Sequence, residues 1–127
     1  MKGTILLIED NEQNRYLLTY LLERHGYRVQ TAPDGPTGIA AARRLTPRLI
    51  LLDIQLPGMN GYAVATALRQ HPELRGTPIV AVTSYAMPGD RERALEAGCT
   101  SYIEKPIDPE TFVTEMERVL PPDETAP

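Results

Sequence analysis

A single cysteine, Cys99, leaves this chain unable to form a disulfide within itself. Nothing in its cysteine content therefore points to an oxidising compartment. Set between Ala97-Gly98 and Tyr102-Ile103, Cys99 reads as a small core residue and not as a reactive thiol. No apolar stretch approaches membrane-spanning length. Met1-Lys2 runs straight into Ile5-Leu6-Leu7-Ile8 and leaves no room for a signal peptide, so a soluble cytoplasmic protein without membrane contact is expected. A clustered basic face is also missing. Lys plus Arg number 13 against 17 Asp plus Glu, a formal net charge of -4. Arg43-Arg44 and Arg91/Arg93 fall among polar helix positions and read as solvated faces, so no direct nucleic-acid partner is expected. The 127 residues, 42% of them apolar, suit one domain, and no internal repeat is visible.

What is present is organised around unbroken aliphatic runs. Leu49-Ile50-Leu51-Leu52 ends in Asp53. Four branched aliphatics in succession mark a strand buried on both faces, because a strand with one wet face would alternate. Ile5-Leu6-Leu7-Ile8 and Ile79-Val80-Ala81-Val82 repeat the pattern, Ser101-Glu104 is a shorter strand, and Arg28-Ala32 is a weak edge strand. Helical patterns alternate with them. Residues 12–25 carry Leu17, Leu18, Leu21 and Leu22 on one stripe and stop at Gly26, with His25 suited to the negative helix end. Residues 36–45 form an Ala-rich helix, and another helix follows the Pro57-Gly58-Met59-Asn60-Gly61 loop. A fourth opens at Pro88. The last starts at Asp108-Pro109-Glu110 and buries Phe112, Val113, Met116, Val119 and Leu120. Residues 121–127 show no periodicity and read as a disordered tail or a cut linker, leaving a domain over 1–120. Five βα units with short connections require a parallel sheet with helices on both faces.

In such a sheet the carboxyl ends of all strands share one edge, where ligands bind in open α/β folds. Glu9-Asp10, Asp53, Thr83 and Lys105-Pro106 all fall there. Each has an ordinary structural role available. Asp10 with Gln13 fits a capping box, Asp53 can begin a turn, Thr83 suits a strand, and Lys105 can be a surface charge. Their convergence argues for more. At about 5 Å and an effective dielectric near 20, each carboxylate pair costs roughly 3 kcal/mol. A cation offsets that cost, and an all-oxygen set suits Mg²⁺. A nucleophilic carboxylate, a divalent cation, a lysine and a hydroxyl are the parts of a phosphoryl-transfer site.

The set Ile8-Glu9-Asp10-Asn11, Leu51-Leu52-Asp53-Ile54, Leu56-Pro57-Gly58-Met59-Asn60-Gly61, Val82-Thr83-Ser84 and Glu104-Lys105-Pro106 resembles the receiver domains of two-component response regulators, over residues 3–120. The stretch through Asn14-Arg15 is most similar to stand-alone receivers and those attached to hybrid kinases. The resemblance implies a flavodoxin-like, three-layer, doubly wound (βα)5 α/β fold with strand order 2-1-3-4-5. It implies that Asp53 accepts a phosphoryl group from a phosphohistidine on a sensor histidine kinase or histidine phosphotransferase. Mg²⁺ would be held by Asp10, Asp53 and the Gln55 backbone carbonyl, with Glu9 acting through water. Lys105, Thr83 and the backbone N–H groups of Ile54 and Ser84 would bind the phosphoryl oxygens. Thr83 and Tyr102 would be the switch residues, and the Lys105-Pro106 bond would be cis. Output would go to an unknown downstream protein through the fourth helix, fifth strand and fifth helix, or through a phosphorylation-dependent dimer. The implied protein is a signalling phosphoacceptor, not an enzyme acting on an outside substrate.

Ser84 stands where the family most often has Ala, and the chain stops soon after the fifth helix. Four other readings compete. An aspartyl phosphatase would place an acid where Gln55 stands. A flavin or nucleotide carrier would not follow its first strand with Glu9-Asp10-Asn11-Glu12. A receiver excised from a larger regulator, or a receiver-like interaction module that is never phosphorylated, shares every motif. Gln55 and Tyr85 are the side chains placed to orient a hydrolytic water. Neither is an acid, so slow loss of the phosphoryl group is expected.

Overall fold

Aliphatic runs such as residues 49–52 are stable only where both faces of a sheet are dry. The computed structural model, which describes residues 2–84 and 88–120, places them so. The strands β1 (Thr4–Ile8), β2 (Arg28–Ala32), β3 (Leu49–Asp53), β4 (Ile79–Thr83) and β5 (Ser101–Glu104) pair in parallel in the order β2-β1-β3-β4-β5. Side chains alternate across the sheet. Leu6, Ile8, Ile50, Leu52, Ile79 and Ala81 face one side and meet residues of α2 (Gly35–Leu45), α3 (Gly61–Arg69) and α4 (Asp90–Ala97). Ile5, Leu7, Leu49, Leu51, Val80 and Val82 face the other and meet α1 (Glu12–Arg24) and α5 (Phe112–Glu117). This is the three-layer, doubly wound flavodoxin-like fold expected from the motifs, with β2 as the exposed edge.

Two helix starts and one cap depart from the expected ones, while α1 begins at Glu12 as expected. The cap of α1 is Asn11, whose side chain accepts from the Asn14 N–H at 2.9 Å, so Asp10 and Gln13 form no capping box. The shift by one residue leaves the Asp10 carboxylate on the sheet edge. Pro88 lies in a turn ahead of α4, which starts at Asp90 behind a left-handed Gly89. Asp108 does not cap α5. Its carboxylate turns onto the Glu110 N–H at 2.9 Å, a local Asx bond that competes with capping, and the helix begins only at Phe112. His25 sits at the end of α1 as expected, its Nδ1 2.9 Å from the Leu21 carbonyl oxygen.

Cys99 is buried, and burial pushes its thiol up to about 11, so it stays protonated and packs as a core residue. Arg69 has no local pattern that marks its role. Its guanidinium donates to the carbonyls of Gly98 at 2.9 Å, Leu74 at 2.7 Å and Thr77 at 2.7 Å, tying α3 to the loops before β4 and after α4.

Gly61 starts α3 directly against the end of β3, with its N–H on the Ile54 carbonyl at 2.8 Å. A Cβ there would lie 2.5 Å from Ile54 Cα and 2.8 Å from the Asp53 carbonyl oxygen, both backbone atoms with little room to yield. Gly61→Ala should therefore destabilise the domain by about 1–3 kcal/mol. A thermal or urea midpoint equal to the parent's would show that the β3–α3 approach relaxes freely.

Candidate functional site

The five strands run the same way, so the ends of β1, β3, β4 and β5 meet at one edge. Glu9 follows β1 and is almost fully buried, its N–H on the Ala32 carbonyl at 3.0 Å. Asp53 closes β3 and is buried, whereas Asp10 is exposed. One carboxylate oxygen from each of Glu9, Asp10 and Asp53 lies within 4.8 Å of the others. Lys105 reaches in from the loop after β5, its Nζ 2.8 Å from Glu9 Oε1 and 3.8 Å from Asp53 Oδ2. Its peptide bond to Pro106 is cis, as expected. Thr83 ends β4 and is buried, and its carbonyl accepts from the Lys105 N–H at 2.7 Å. Ser84 is exposed beside it. Tyr85 lies outside the described residues, as do residues 121–127.

The buried carboxylates hold unequal charge. Desolvation and the hydrogen bond with Glu9 push the Asp53 carboxyl up to about 7, against the pull of the Gln55 N–H and Lys105. Burial alone would raise Glu9 as well. Its hydrogen bonds with Asp53 and Lys105, and the lysine charge, outweigh that and hold it below the usual carboxylate range. When the pair takes up a proton it goes to Asp53 and not to Glu9, which is ion-paired with Lys105 at 2.8 Å. A hard cation suits this all-oxygen donor set, since it would remove the reason for that proton.

The amide of Ile54 does not face the site. It donates to the Val82 carbonyl at 3.1 Å, one rung beyond the strands, and a ladder bond would have to break before it could bind a phosphoryl oxygen. The Gln55 N–H faces the site instead, 3.0 Å from Asp53 Oδ1. Two contacts escaped the sequence reading. Arg15 Nη1 donates to the carbonyls of Glu9 and Asp10, both at 2.9 Å, and so clamps the β1–α1 loop. The Gln55 side chain donates from Nε2 to Thr83 Oγ1 at 3.2 Å. Neither has a local signal, because an Arg in the first turn of a helix and a Gln in a loop are ordinary surface residues.

Grooves among the described residues differ in their relation to the site. One of about 490 Å³, lined by Asn14, Leu17, Ser84, Lys105, Pro106 and Ile107, opens on the lysine. A larger one of about 600 Å³ lies between α1 and β2 and touches none of Glu9, Asp10, Asp53, Thr83 or Lys105, so size is a poor guide to the chemistry here. Tyr102 on β5 is half-buried, and its hydroxyl is buried without a hydrogen-bond partner among the described residues.

A doubly wound sheet with an acidic, lysine-bearing carboxyl edge defines a class of α/β domains. Within that class the chain belongs to the response regulator receiver domain family, which matches residues 5–117. It is 40% identical to the polar-differentiation response regulator DivK of Brucella anthropi over 120 residues, 94% of this chain and 98% of that protein. Its fold is similar to that of the Vibrio cholerae chemotaxis protein CheY4, with a TM-score of 0.90 at 29% identity, covering 94% and 100% of the two chains. It also resembles the receiver domain of the Pseudomonas aeruginosa sensor histidine kinase PA1611, whose structure has a magnesium ion coordinated in the active site cleft. There the TM-score is 0.85 at 35% identity, covering 93% and 97%. Receiver domains are signalling proteins, and no helix among the described residues is long and apolar enough to cross a membrane.

Proposed function

We propose that residues 1–120 form a cytoplasmic phosphoacceptor receiver. Asp53 takes a phosphoryl group from a phosphohistidine of a sensor histidine kinase or histidine phosphotransferase, and the altered site switches a protein-binding face. The observation that carries this reading is Lys105 Nζ set beside both buried carboxylates, next to three carboxylate oxygens within 4.8 Å of one another. Asp10, Asp53 and the Gln55 carbonyl would hold Mg²⁺, with Glu9 reached through water. When bound, the ion supplies positive charge that keeps the carboxylates ionised and neutralises phosphoryl oxygens.

The ionised Asp53 oxygen attacks phosphorus in line. The new P–O bond forms as the P–N bond to the donor imidazole breaks, and the imidazole leaves with the electron pair. Lys105 takes up charge on one phosphoryl oxygen. The Thr83 hydroxyl and the N–H groups of Ser84 and Gln55 donate to the others. Catalysis is positioning and charge stabilisation, with nothing further required of the protein. Thr83 and Tyr102 then couple the site to α4, β5 and α5. A buried hydroxyl without a partner is costly. Tyr102 therefore stands to gain a partner from a second packing of the same core. The face so altered would bind a downstream protein or a second copy of the chain.

Incubation with acetyl phosphate and Mg²⁺, followed by intact mass, tests the reading. The expected result is a single added phosphoryl group, lost when EDTA is present. No addition from acetyl phosphate or from a phosphorylated histidine phosphotransferase would leave a receiver-like module that works by binding alone.

A further inference from the structure

The outer side of β2 pairs with no strand among the described residues. The Arg28 N–H bonds to the Gly3 carbonyl, and the Ala32 carbonyl accepts from the Glu9 N–H, so Arg28, Gln30 and Ala32 turn their backbone groups toward β1. Backbone direction alternates along a strand of a parallel sheet. The N–H and C=O groups of Val29 and Thr31 therefore point outward, where a strand could pair with them. The side chains of the same two residues floor the groove of about 600 Å³ between α1 and β2. Its wall is made by Tyr16 and Tyr20, one turn apart on α1 and 75% and 51% exposed. Two open aromatics beside an unpaired strand edge offer apolar contact and backbone hydrogen bonds together, which is what an extended segment needs.

Charge selects the occupant. Glu12 and Glu23 stand at the two ends of the groove, and neither is ion-paired among the described residues. Arg15 also lines it, but its Nη1 is held by the Glu9 and Asp10 carbonyls. Arg24 lies over the Tyr20 ring and donates to its hydroxyl at 2.9 Å. We infer that this groove takes an extended, basic segment of a partner protein, added to β2 as a sixth strand. Anionic lipid or nucleic acid would meet the glutamates with like charge. A second copy paired edge to edge would do the same, by setting its own two glutamates against these. The spacing fixes the pattern of the segment. Glu12 and Glu23 lie about 16 Å apart along α1, at ~1.5 Å per residue. An extended chain spans that in about five residues, and alternate ones face α1. Basic residues at the first and fifth positions reach the glutamates, and an apolar residue at the third meets Tyr16 and Tyr20. The groove touches none of the groups at the carboxyl edge, so it binds whether or not Asp53 accepts a phosphoryl group.

The probe is the capped peptide Lys-Thr-Ile-Thr-Lys, with Glu-Thr-Ile-Thr-Glu as control, each titrated to about 5 mM and followed by amide NMR. The basic peptide should shift the amides of α1 and β2. At saturation it should slow hydrogen exchange at Val29 and Thr31 by about fivefold, because those N–H groups gain strand partners. A contact made by side chains alone would leave that exchange unchanged. Tyr16→Ala with Tyr20→Ala should weaken the peptide about tenfold. Glu12→Gln with Glu23→Gln should weaken it about threefold and remove most of its salt dependence, and stands in if the alanine pair folds poorly. Beryllofluoride binding should be the parent's in both double variants. No binding of the basic peptide, equal binding of the acidic one, unchanged exchange at Val29 and Thr31, or parental affinity in the double variants would overturn the inference. Concentration-dependent shifts at Val29 and Thr31 in the protein alone would overturn it too, and give the edge to a second copy.

Discussion

Asp53→Asn should reduce phosphoryl uptake from acetyl phosphate to below about one per cent of the parent's, because an amide oxygen is not a nucleophile toward phosphorus. The acceptor must be one of three carboxylates, and their surroundings separate them. Glu9 is buried and ion-paired with Lys105 at 2.8 Å, so its attacking oxygen is occupied. Asp10 is exposed at the loop and has no lysine of its own at the site. Asp53 combines burial, a backbone donor on one oxygen and Lys105 at 3.8 Å from the other. Its amide analogue keeps shape and volume, so loss of uptake without loss of folding would isolate the chemistry. A mass shift that persists in Asp53→Asn and disappears only in Asp10→Asn would move the acceptor to the loop.

The second large effect is on stability. Burial and the hydrogen bond with Glu9 push the Asp53 carboxyl up to about 7 when no metal is bound, above the ordinary value of 3.8 that it takes when unfolded. Between those values the folded chain binds a proton that the unfolded chain has released. Stability therefore falls as pH rises through about 4 to 7, and levels off above. Each pH unit of that gap is worth about 1.4 kcal/mol, so the full loss is on the order of a few kcal/mol. Glu9 works in the opposite sense. Held below its ordinary 4.5, it contributes stability above that pH and loses it in more acidic solution, outside the Asp53 window. Urea unfolding at pH 5 and pH 8 should show the decline in EDTA. Mg²⁺ at pH 8 should reverse it, and Asp53→Asn should flatten it. A parent equally stable at both pH values without metal would mean that Asp53 is ionised throughout.

Much of this was legible in the order of residues. Unbroken runs such as Leu49-Ile50-Leu51-Leu52 specify strands buried on both faces, because no wet face tolerates them. Alternation of those runs with amphipathic helices then puts every strand end on one edge, and with it Glu9, Asp10, Asp53, Thr83 and Lys105. The helix starts were less secure. Asn11 and Asp10 are both good caps, as are Asp108 and Thr111 by composition. The choice between neighbours depends on where the chain leaves the sheet.

Only the folded arrangement decided how the gathered groups divide their work. Residue order brings Glu9 and Asp53 to one edge, but burial and a 2.8 Å contact with Lys105 decide which keeps its charge and which its proton. Local sequence assigns the Ile54 amide no partner, while the β3–β4 ladder commits it to Val82 and turns the Gln55 amide toward Asp53. The contacts of Arg15 with the β1–α1 loop and of Gln55 with Thr83 likewise have no pattern to announce them. Hydrophobic periodicity is a local property that a strand or helix reads along its own length. Proton placement and hydrogen-bond direction depend on distances of a few ångströms between residues far apart in the chain, and those distances exist only after the sheet has closed.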